Sequence, residues 1–312
     1  MPVSKSKRKK KHSPRPVAKA FDATPRNELL LGDAIAEELE TDAAIAELRA
    51  AGQGFRPEQL EEAQDLAFDA WESEDPRRRV ELAAAALKLC PWCGDAYGLL
   101  AMAAPPNSDI AIHLWRLAVA AAEFALKAEL GEDVFETHAG DFWGLLETRP
   151  YMRARAGLSH ALWDFGERDA ALKIDLEGLR LNPNDNQGAR YVAACRLLTL
   201  GRDRQLEELL QAYPDEDSAF LAFTRAAWSF QREGDSEQSR RLLAEAIDTN
   251  PHVPIYLLGR RRMPESLPDF YGLGDEDEAV HYVDMSIEAW RSVRGALTWL
   301  SKRARVPESS KR

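Results

Sequence analysis

Amphipathic helical segments alternate along this chain with short breaks that contain proline or glycine. Apolar residues recur at helical spacing in the stretch that opens at Pro57 and in residues 77–90, 95–104 and 108–130. Proline suits the first turn of a helix and disrupts its interior, so Pro57 predicts a helix start and Pro91 a helix end. No convincing alternation of apolar and polar residues predicts a β-strand. The pattern therefore predicts an all-α protein.

Helix pairs recur at a fixed interval in the second half of the chain. Pro183 closes the stretch RDAALKIDLEGLRLNP and Pro251 closes EQSRRLLAEAIDTNP, so the two prolines lie 68 residues apart. This spacing is twice the 34-residue period of the tetratricopeptide repeat, a helix–turn–helix unit. The repeat template, laid back from these prolines and from Pro91, predicts the positions where paired helices cross. They are Leu66, Ala67, Ala83, Ala86, Leu158, Ser159, Leu162, Ala171, Phe223, Ala226, Ala227, Leu243 and Ala246.

The predicted fold is an all-α, right-handed superhelical solenoid of tetratricopeptide-like helix pairs. Two regions depart from the repeat. The segment near 131–150 fits no repeat and is rich in aromatic residues, so it is either a plug over the edge of the array or a ligand surface, and the plug is favoured. Its aromatic residues are Phe135, Phe142 and Trp143, and Tyr151 follows directly after it. From about residue 275, the helical pattern predicts a carboxy-terminal cap.

Charge is distributed unevenly along the chain. The net charge is −11, yet residues 1–19 hold eight lysines and arginines and no acid, which leaves a strongly acidic body. Residues 1–26 are predicted to be a disordered basic tail, residues 27–302 the helical-repeat domain, and residues 303–312 a second disordered basic tail. The amino-terminal arm is either a solubilising tail, which is favoured, or a contact for nucleic acid or an acidic partner.

Neither a secretory signal nor a membrane span is expected, because the apolar stretches are interrupted by charge and the basic amino terminus lacks an apolar core. The three cysteines, Cys90, Cys93 and Cys195, are too few and odd in number for a disulfide framework. A cytoplasmic protein with reduced thiols is the expectation.

Four segments resemble the suppressor of tumorigenicity 7 family, and in particular its bacterial members, which are described as tetratricopeptide-repeat proteins. The segments are LCPWCGDAYGLLA, HAGDFWGLLETRPYMRARAGLSHALW, RLNPNDNQGARY and NPHVPIYLLGRRRMPESLPDFY. The resemblance covers about residues 60–300, and its most distinctive blocks are FWGLLETRPYMR and LNPNDNQG. It implies a helical-repeat scaffold and supplies no catalytic residues.

Catalytic motifs are not found in the sequence. Nucleotide-binding glycine loops, zinc-protease and nucleophile-elbow patterns are all missing. Cys90 and Cys93 form a C-x-x-C pair, but the pair follows a helix rather than a strand and no second ligand pair accompanies it. Packing residues at a turn are therefore favoured over a redox or zinc site. The chain is predicted to be no enzyme and to use no cofactor or metal.

One set of polar and aromatic residues suggests a surface for a partner. The template places Arg153, His160 and Trp163 on the concave side of the array, with Arg149 one helical turn before Arg153. Arginine forks bind carboxylates, so the functional hypothesis is a groove for an acidic peptide. The alternative is an internal network in which Arg149 pairs with Glu147 or Asp141. In that network Asn182 and Asp185 cap helix ends. The candidate residues are Arg149, Arg153, His160, Trp163, Asn184, Asp185 and Arg190.

The predicted function is a non-catalytic protein–protein interaction scaffold that uses the concave face of the array, with an unknown protein or peptide partner. The alternative is a nucleic-acid-associated regulatory protein tethered by its lysine-rich amino-terminal arm.

Overall fold

The computed structural model describes residues 46, 48–50, 54–214 and 216–304. Helices dominate this part of the chain, and it contains no β-strand, which confirms the predicted all-α class. Within it, no helix combines the length and the apolar character that crossing a membrane requires. The predicted tail over 1–26 lies outside the described residues, as do residues 305–312 of the tail predicted over 303–312, whereas Arg303 belongs to the last helix.

The helices follow one another with short connections. Their bounds are α1 Pro57–Glu72, α2 Pro76–Leu89, α3 Gly94–Ala103, α4 Asp109–Leu130, α5 Val134–Thr137, α6 Arg149–Phe165, α7 Arg168–Leu181, α8 Ala189–Thr199, α9 Asp203–Ala212, α10 Ala219–Glu233, α11 Glu237–Thr249, α12 Val253–Leu257, α13 Glu276–Ser292 and α14 Ala296–Arg303.

The chain divides into two compact units, with the boundary inside α8 between Ala193 and Ala194. The amino-terminal unit carries α1 to α7, and the carboxy-terminal unit carries α9 to α14. The prediction of one helical-repeat domain over 27–302 stays a prediction.

Local sequence signals place the helix starts. Pro57 and Pro76 occupy the first turns of α1 and α2, and the Asp75 carboxylate accepts the Arg77 amide hydrogen at 2.9 Å. Ser108 caps α4 by accepting a hydrogen bond from the Ala111 amide at 3.2 Å. These interactions satisfy backbone donors that a helix leaves unpaired at its amino end. The predicted starts and stops are confirmed to within a few residues.

Consecutive helices of the amino-terminal unit pack in neighbouring pairs, α1 with α2, α3 with α4, and α6 with α7, and α4 also packs on α6. The close approach of α4 to α6 depends on Gly157. A Cβ atom at that position would lie 2.3 Å from the indole ring of Trp115, far inside van der Waals contact. Glycine at 157 therefore permits the crossing, because any larger residue would push the two helices apart.

The positions predicted for helix crossings lie mostly in the interior. Ala67, Ala83, Ala86, Ser159, Leu162, Ala171, Phe223, Ala226, Ala227, Leu243 and Ala246 are buried. Leu66 and Leu158 are half-buried at the edges of the core. The interior of the amino-terminal unit is rich in alanine, which lets helix axes come close together.

The aromatic segment near 131–150, which was predicted to fit no repeat, contains little helix, and its rings pack in or against the core of the amino-terminal unit. Phe142 is fully buried, and its ring centroid lies 5.4 Å from that of Phe135 and 6.4 Å from that of Tyr151. The Gly140 amide donates to the Leu181 carbonyl oxygen at 3.0 Å, which ties the segment to the end of α7. Val134 and Phe142 of this segment are buried in the core, while Leu146 is 67% exposed.

In the carboxy-terminal unit, α10 pairs with α11, and α13 packs on α10 and α12. The carboxylate of Glu278 is completely buried and accepts hydrogen bonds from the Ala219 amide at 2.9 Å, the Gly274 amide at 2.7 Å and the Asn250 side chain at 3.0 Å. Glu278 thereby joins the start of α10, the end of α11 and the loop before α13.

Candidate functional site

Four of the predicted partner-binding residues share one face of α6. Arg149, Arg153, His160 and Trp163 are separated by four, seven and three residues, which are spacings that keep side chains on one stripe of a helix. Arg149, Arg153 and Trp163 are half-buried, and His160 is exposed. The structure thus places these four along a single stripe, while other residues of α6, such as Met152 and Leu162, are buried.

Arg153 is engaged inside the unit. Its Nε donates to Oδ1 of Asp95 at 2.8 Å, and its Nη2 donates to Oδ2 of the same carboxylate. Gln64 of α1 adds a third hydrogen bond to Asp95, at 2.6 Å. Asp95 lies in the first turn of α3 and is 3% exposed, while the Arg153 side chain is 27% exposed. One buried carboxylate therefore links α1, α3 and α6.

The electrostatics agree with this geometry. Burial on its own lowers the pKa of Arg153, but the hydrogen bonds and negative charge of Asp95 outweigh it and raise that pKa. The guanidinium is thus charged at every relevant pH. A bidentate arginine–carboxylate pair combines charge with fixed geometry, so Arg153 already has the partner that an acidic peptide would have supplied.

Arg155 serves a similar internal purpose on another face of α6. Its Nη2 donates to Glu177 of α7 at 2.8 Å and to the Ile174 carbonyl oxygen at 3.2 Å, and its Nη1 donates to the Tyr151 hydroxyl at 3.0 Å. Arg155 therefore fastens α6 to α7, as the Ser159 hydroxyl does by donating to Asp175 at 2.5 Å.

Arg149 differs from both. Within the described residues it makes no ion pair with Glu147 or Asp141, which were the internal partners suggested by the sequence. Its buried Nε, like that of Arg155, has no hydrogen-bond partner there. Its guanidinium lies 5.2 Å from the ring centroid of Trp143. This distance is that of a cation–π contact with Trp143.

The residues after Pro183 form a helix cap. Asp185 is buried, and its carboxylate accepts the amide hydrogens of Ala189 at 2.8 Å and Arg190 at 2.9 Å. The Arg190 guanidinium also donates to Asp185 at 2.8 Å and stacks on Tyr191 at 4.2 Å. Asn184 is exposed beside this cap. Asp185 thus acts as a helix cap. Partner binding by Asn184, Asp185 and Arg190 stays a prediction.

His160 and Trp163 lie toward the end of α6. The His160 Nδ1 is 2.8 Å from the Ala156 carbonyl oxygen, and the Arg168 guanidinium lies 4.9 Å from the Trp163 ring centroid. Both side chains keep a face toward the surface of the unit, so they remain candidates for contact with a partner.

The C-x-x-C pair lies in a buried turn between α2 and α3. Both thiols are free and buried, and Trp92 between them stacks on Phe124 of α4 at 3.8 Å. Burial, with the nearby charge of Asp95, raises the pKa of Cys93 to about 12, and burial raises that of Cys90. These thiols stay protonated at neutral pH, which favours their interpretation as packing residues. No three histidine, cysteine or acidic side chains of the described chain converge as metal ligands would.

Sequence reasoning missed the two carboxylates that organise the units, Asp95 and Glu278. The available signal was an acidic residue at the start of an otherwise apolar helix, as in GDAYGLLA. An acidic residue is also common at an ordinary helix start. The signal therefore could not show that Asp95 pairs with Arg153, which lies 58 residues further along the chain.

Comparison with known proteins adds one relative. No protein-family model matches the chain. The chain is 28% identical over 269 residues to a protein from Caenorhabditis elegans named Protein ST7 homolog, and the alignment covers 74% of this chain and 49% of the nematode protein. The chain thus spans about half the length of this curated relative. The similarity supports the resemblance noted from the sequence at the level of the suppressor of tumorigenicity 7 family.

Proposed function

We propose that this protein is a non-catalytic scaffold for protein–protein interaction, built as a right-handed solenoid of tetratricopeptide-like helix pairs with its concave face as the working surface. The all-helical architecture in neighbouring pairs supports the proposal, as does the similarity to Protein ST7 homolog. Helical repeats place side chains from successive helices on a continuous surface, which suits extended partners.

The observation that carries the proposal is the surface stripe of α6, formed by Arg149, His160 and Trp163. Aromatic residues and arginine are enriched at the energetic centres of protein interfaces. The reactive groups of the same unit are engaged in packing, because the Cys93 thiol is buried with its pKa raised to about 12 and Asp95 is bound by Arg153 and Gln64. This distribution favours recognition over catalysis.

The test is affinity capture by the full chain, followed by direct binding to the purified candidate partner. Arg153→Glu is a poor probe, since it would break the internal pair with Asp95. The informative variant is His160→Ala combined with Trp163→Ala, and Lys173→Ala, at an exposed position on α7, is its control. Thermal unfolding of each variant confirms that the fold is retained.

We expect a partner that is retained by wild type and Lys173→Ala and lost with the double variant, with and without nuclease. Capture that disappears with nuclease and on deletion of residues 1–20 would instead support the nucleic-acid-tethered alternative. Equal capture by wild type and the double variant would remove the α6 stripe from the proposal.

A further inference from the structure

The outward side of α1 is a continuous acidic face. Every acidic residue of this helix is exposed, and the helix contains no lysine or arginine. The acids follow one another at intervals of three, one, three, four and three residues, which keeps them on one side of an α-helix. The acidic face consists of Glu58, Glu61, Glu62, Asp65, Asp69 and Glu72. Its negative charges lie along a helix about 24 Å long.

The carboxylates of the acidic face repel one another. Asp65 has an acid four residues away on either side, Glu61 and Asp69, and like charges at that spacing destabilise a helix. Within the part of the chain that the structure describes, no acid of this face is in an ion pair, and this includes pairs with Arg56 and Arg77, which flank the helix in sequence. The face therefore carries a repulsion that bound positive charge would relieve.

An exposed aromatic ring borders the acidic face. Phe68 is 48% exposed. It follows Asp65 by three residues and precedes Glu72 by four, so it lies beside these two acids on the surface of the helix. The face of a phenyl ring attracts the cation of a lysine or arginine side chain. The ring and the carboxylates thus both favour a cationic occupant.

The layout of the charges favours a basic segment of protein over other ligands. The carboxylates are spread along the helix, and no three acidic, histidine or cysteine side chains of the described chain converge as metal ligands would. Nucleic acid is negatively charged and would be repelled. A peptide with several lysines or arginines can place one cation after another along the row, and its apolar side chains can pack on Phe68.

We propose that the acidic face of α1, with Phe68 at its edge, docks a lysine- or arginine-rich segment of a partner protein. This inference rests on the proposed function, because it names the charge of a partner that the scaffold takes and adds α1 to the surface that receives it. The contact is made by exposed charges, so it weakens as salt screens them.

Fluorescence anisotropy on the full-length protein tests the inference. The probe is a fluorescein-labelled peptide, acetyl-Leu-Lys-Lys-Leu-Lys-Lys-Leu-amide, and its counterpart carries glutamine in place of each lysine. One variant neutralises three acids of α1, and its matched control neutralises three exposed acids of the carboxy-terminal unit, so that the net charge changes equally. The changes are Glu61→Gln, Asp65→Asn and Asp69→Asn in the α1 variant, and Glu207→Gln, Asp217→Asn and Asp248→Asn in the control.

We expect wild type to bind the lysine peptide at low salt and to bind the glutamine peptide at least tenfold more weakly. The α1 variant should bind the lysine peptide about tenfold more weakly than wild type, because each exposed ion pair contributes modestly and three are removed. The control should stay within about twofold of wild type. Phe68→Ser, at an exposed position, should weaken binding several-fold while all the acids remain. Circular dichroism melts check that each variant is folded.

Carbodiimide cross-linking locates the bound peptide on the wild-type protein. The reagent joins a lysine amine to a carboxylate where the two are in contact, and mass spectrometry identifies the linked residues. We expect the peptide to be linked mainly to the acids of α1. Links chiefly to residues 27–47, which hold seven further acids, or to the carboxy-terminal unit would contradict the inference. Links from the chain's own lysines in residues 1–19 to α1 would assign the face to that arm and would also overturn it.

The binding data can refute the inference as well. It is wrong if wild type shows no preference for the lysine peptide, or if the α1 variant and the control lose the same affinity. These outcomes are distinct from failure of the scaffold function. If a protein partner is captured through His160 and Trp163 but the α1 variant changes no binding, the scaffold stands and the basic occupant is wrong. If the lysine peptide binds α1 but no protein partner is captured, the scaffold proposal fails by itself.

Discussion

Replacing Asp95 by asparagine is expected to destabilise the amino-terminal unit specifically. The Asp95 carboxylate is 3% exposed and accepts three hydrogen bonds, two from Arg153 and one from Gln64. Asparagine keeps the shape but only one acceptor oxygen, so it cannot accept all three hydrogen bonds. The guanidinium of Arg153 is left without its counter-charge in a site where it is largely surrounded by protein.

The magnitude follows from the burial of the two partners. Removing one member of a fully buried ion pair costs roughly 3–5 kcal/mol, because the remaining charge is uncompensated. The Arg153 side chain is 27% exposed and can regain some hydration. We therefore expect a loss of about 2–3 kcal/mol, which corresponds to a rise of roughly 30- to 150-fold in the population of the opened state.

Hydrogen exchange measured by mass spectrometry separates this effect by region. Amides of α1, α3 and α6 should exchange roughly 30- to 150-fold faster in Asp95→Asn than in wild type. Peptides from residues 219–304 should exchange at the wild-type rate. Asp65→Asn, at an exposed aspartate on α1, is the control and should change stability by less than about 0.5 kcal/mol. Circular dichroism should report the same helical content for all three proteins.

A double-mutant cycle that combines Asp95→Asn with Arg153→Met measures the interaction energy between the two side chains. If the two side chains form a pair, removing both should cost less than the sum of the single changes, with a coupling of at least about 1.5 kcal/mol. A loss below about 1 kcal/mol for Asp95→Asn, together with no coupling, would refute the structural role. Arg153 would then return to the set of residues available to a partner.

Three further predictions concern packing, thiol chemistry and pH. Gly157→Ala should lower the midpoint of thermal unfolding by several degrees because its Cβ would meet the Trp115 ring, whereas Gly178→Ala, where a Cβ meets nothing within 4 Å, should leave the midpoint unchanged or raise it. Cys93, with its pKa raised to about 12, should react with iodoacetamide at pH 8 at least tenfold more slowly in the native protein than in urea, and fast native labelling would contradict its burial. The pKa of Glu278 is raised by burial, against three hydrogen bonds that lower it, so the native state holds its proton more tightly than the unfolded chain. The contribution of Glu278 to stability should therefore decrease as pH rises above about 4. Urea titrations at several pH values should show that wild type loses stability relative to Glu278→Gln as pH rises. A pH-independent difference between the two proteins would contradict the raised pKa.

The positions of helices were predictable because their signals are local. Prolines at 57 and 91, the Ser108 cap and the glycine after Phe165 act over a few residues, and each lies at a helix end in the structure. The burial of alanines such as Ala67 and Ala83 was likewise predictable, since a repeat template marks positions where helices cross closely. The aromatic segment near 131–150 was recognised as a separate insert because it matches no repeat unit.

The candidate site was only partly predictable. The helical spacing of Arg149, Arg153, His160 and Trp163 puts them on one stripe of α6, which follows from the geometry of one helix. It gave no means of assigning each arginine a partner. Arg153 finds Asp95 on α3, and Arg155 finds Glu177 on α7, and both pairs depend on how separate helices pack.

The amino-acid sequence by itself determined the helical class, the helix ends and the residues that face inward, since periodicity, propensity and capping operate within a few turns of backbone. Only the tertiary structure decided which polar groups bond to one another inside the units and which lie at the surface. Asp95 and Arg153 are 58 residues apart in the chain, and Trp115 meets Gly157 across two helices. The contacts that separate Arg149 from its neighbours arise from close packing between distant segments, and the identity of those segments is fixed only when the whole unit folds.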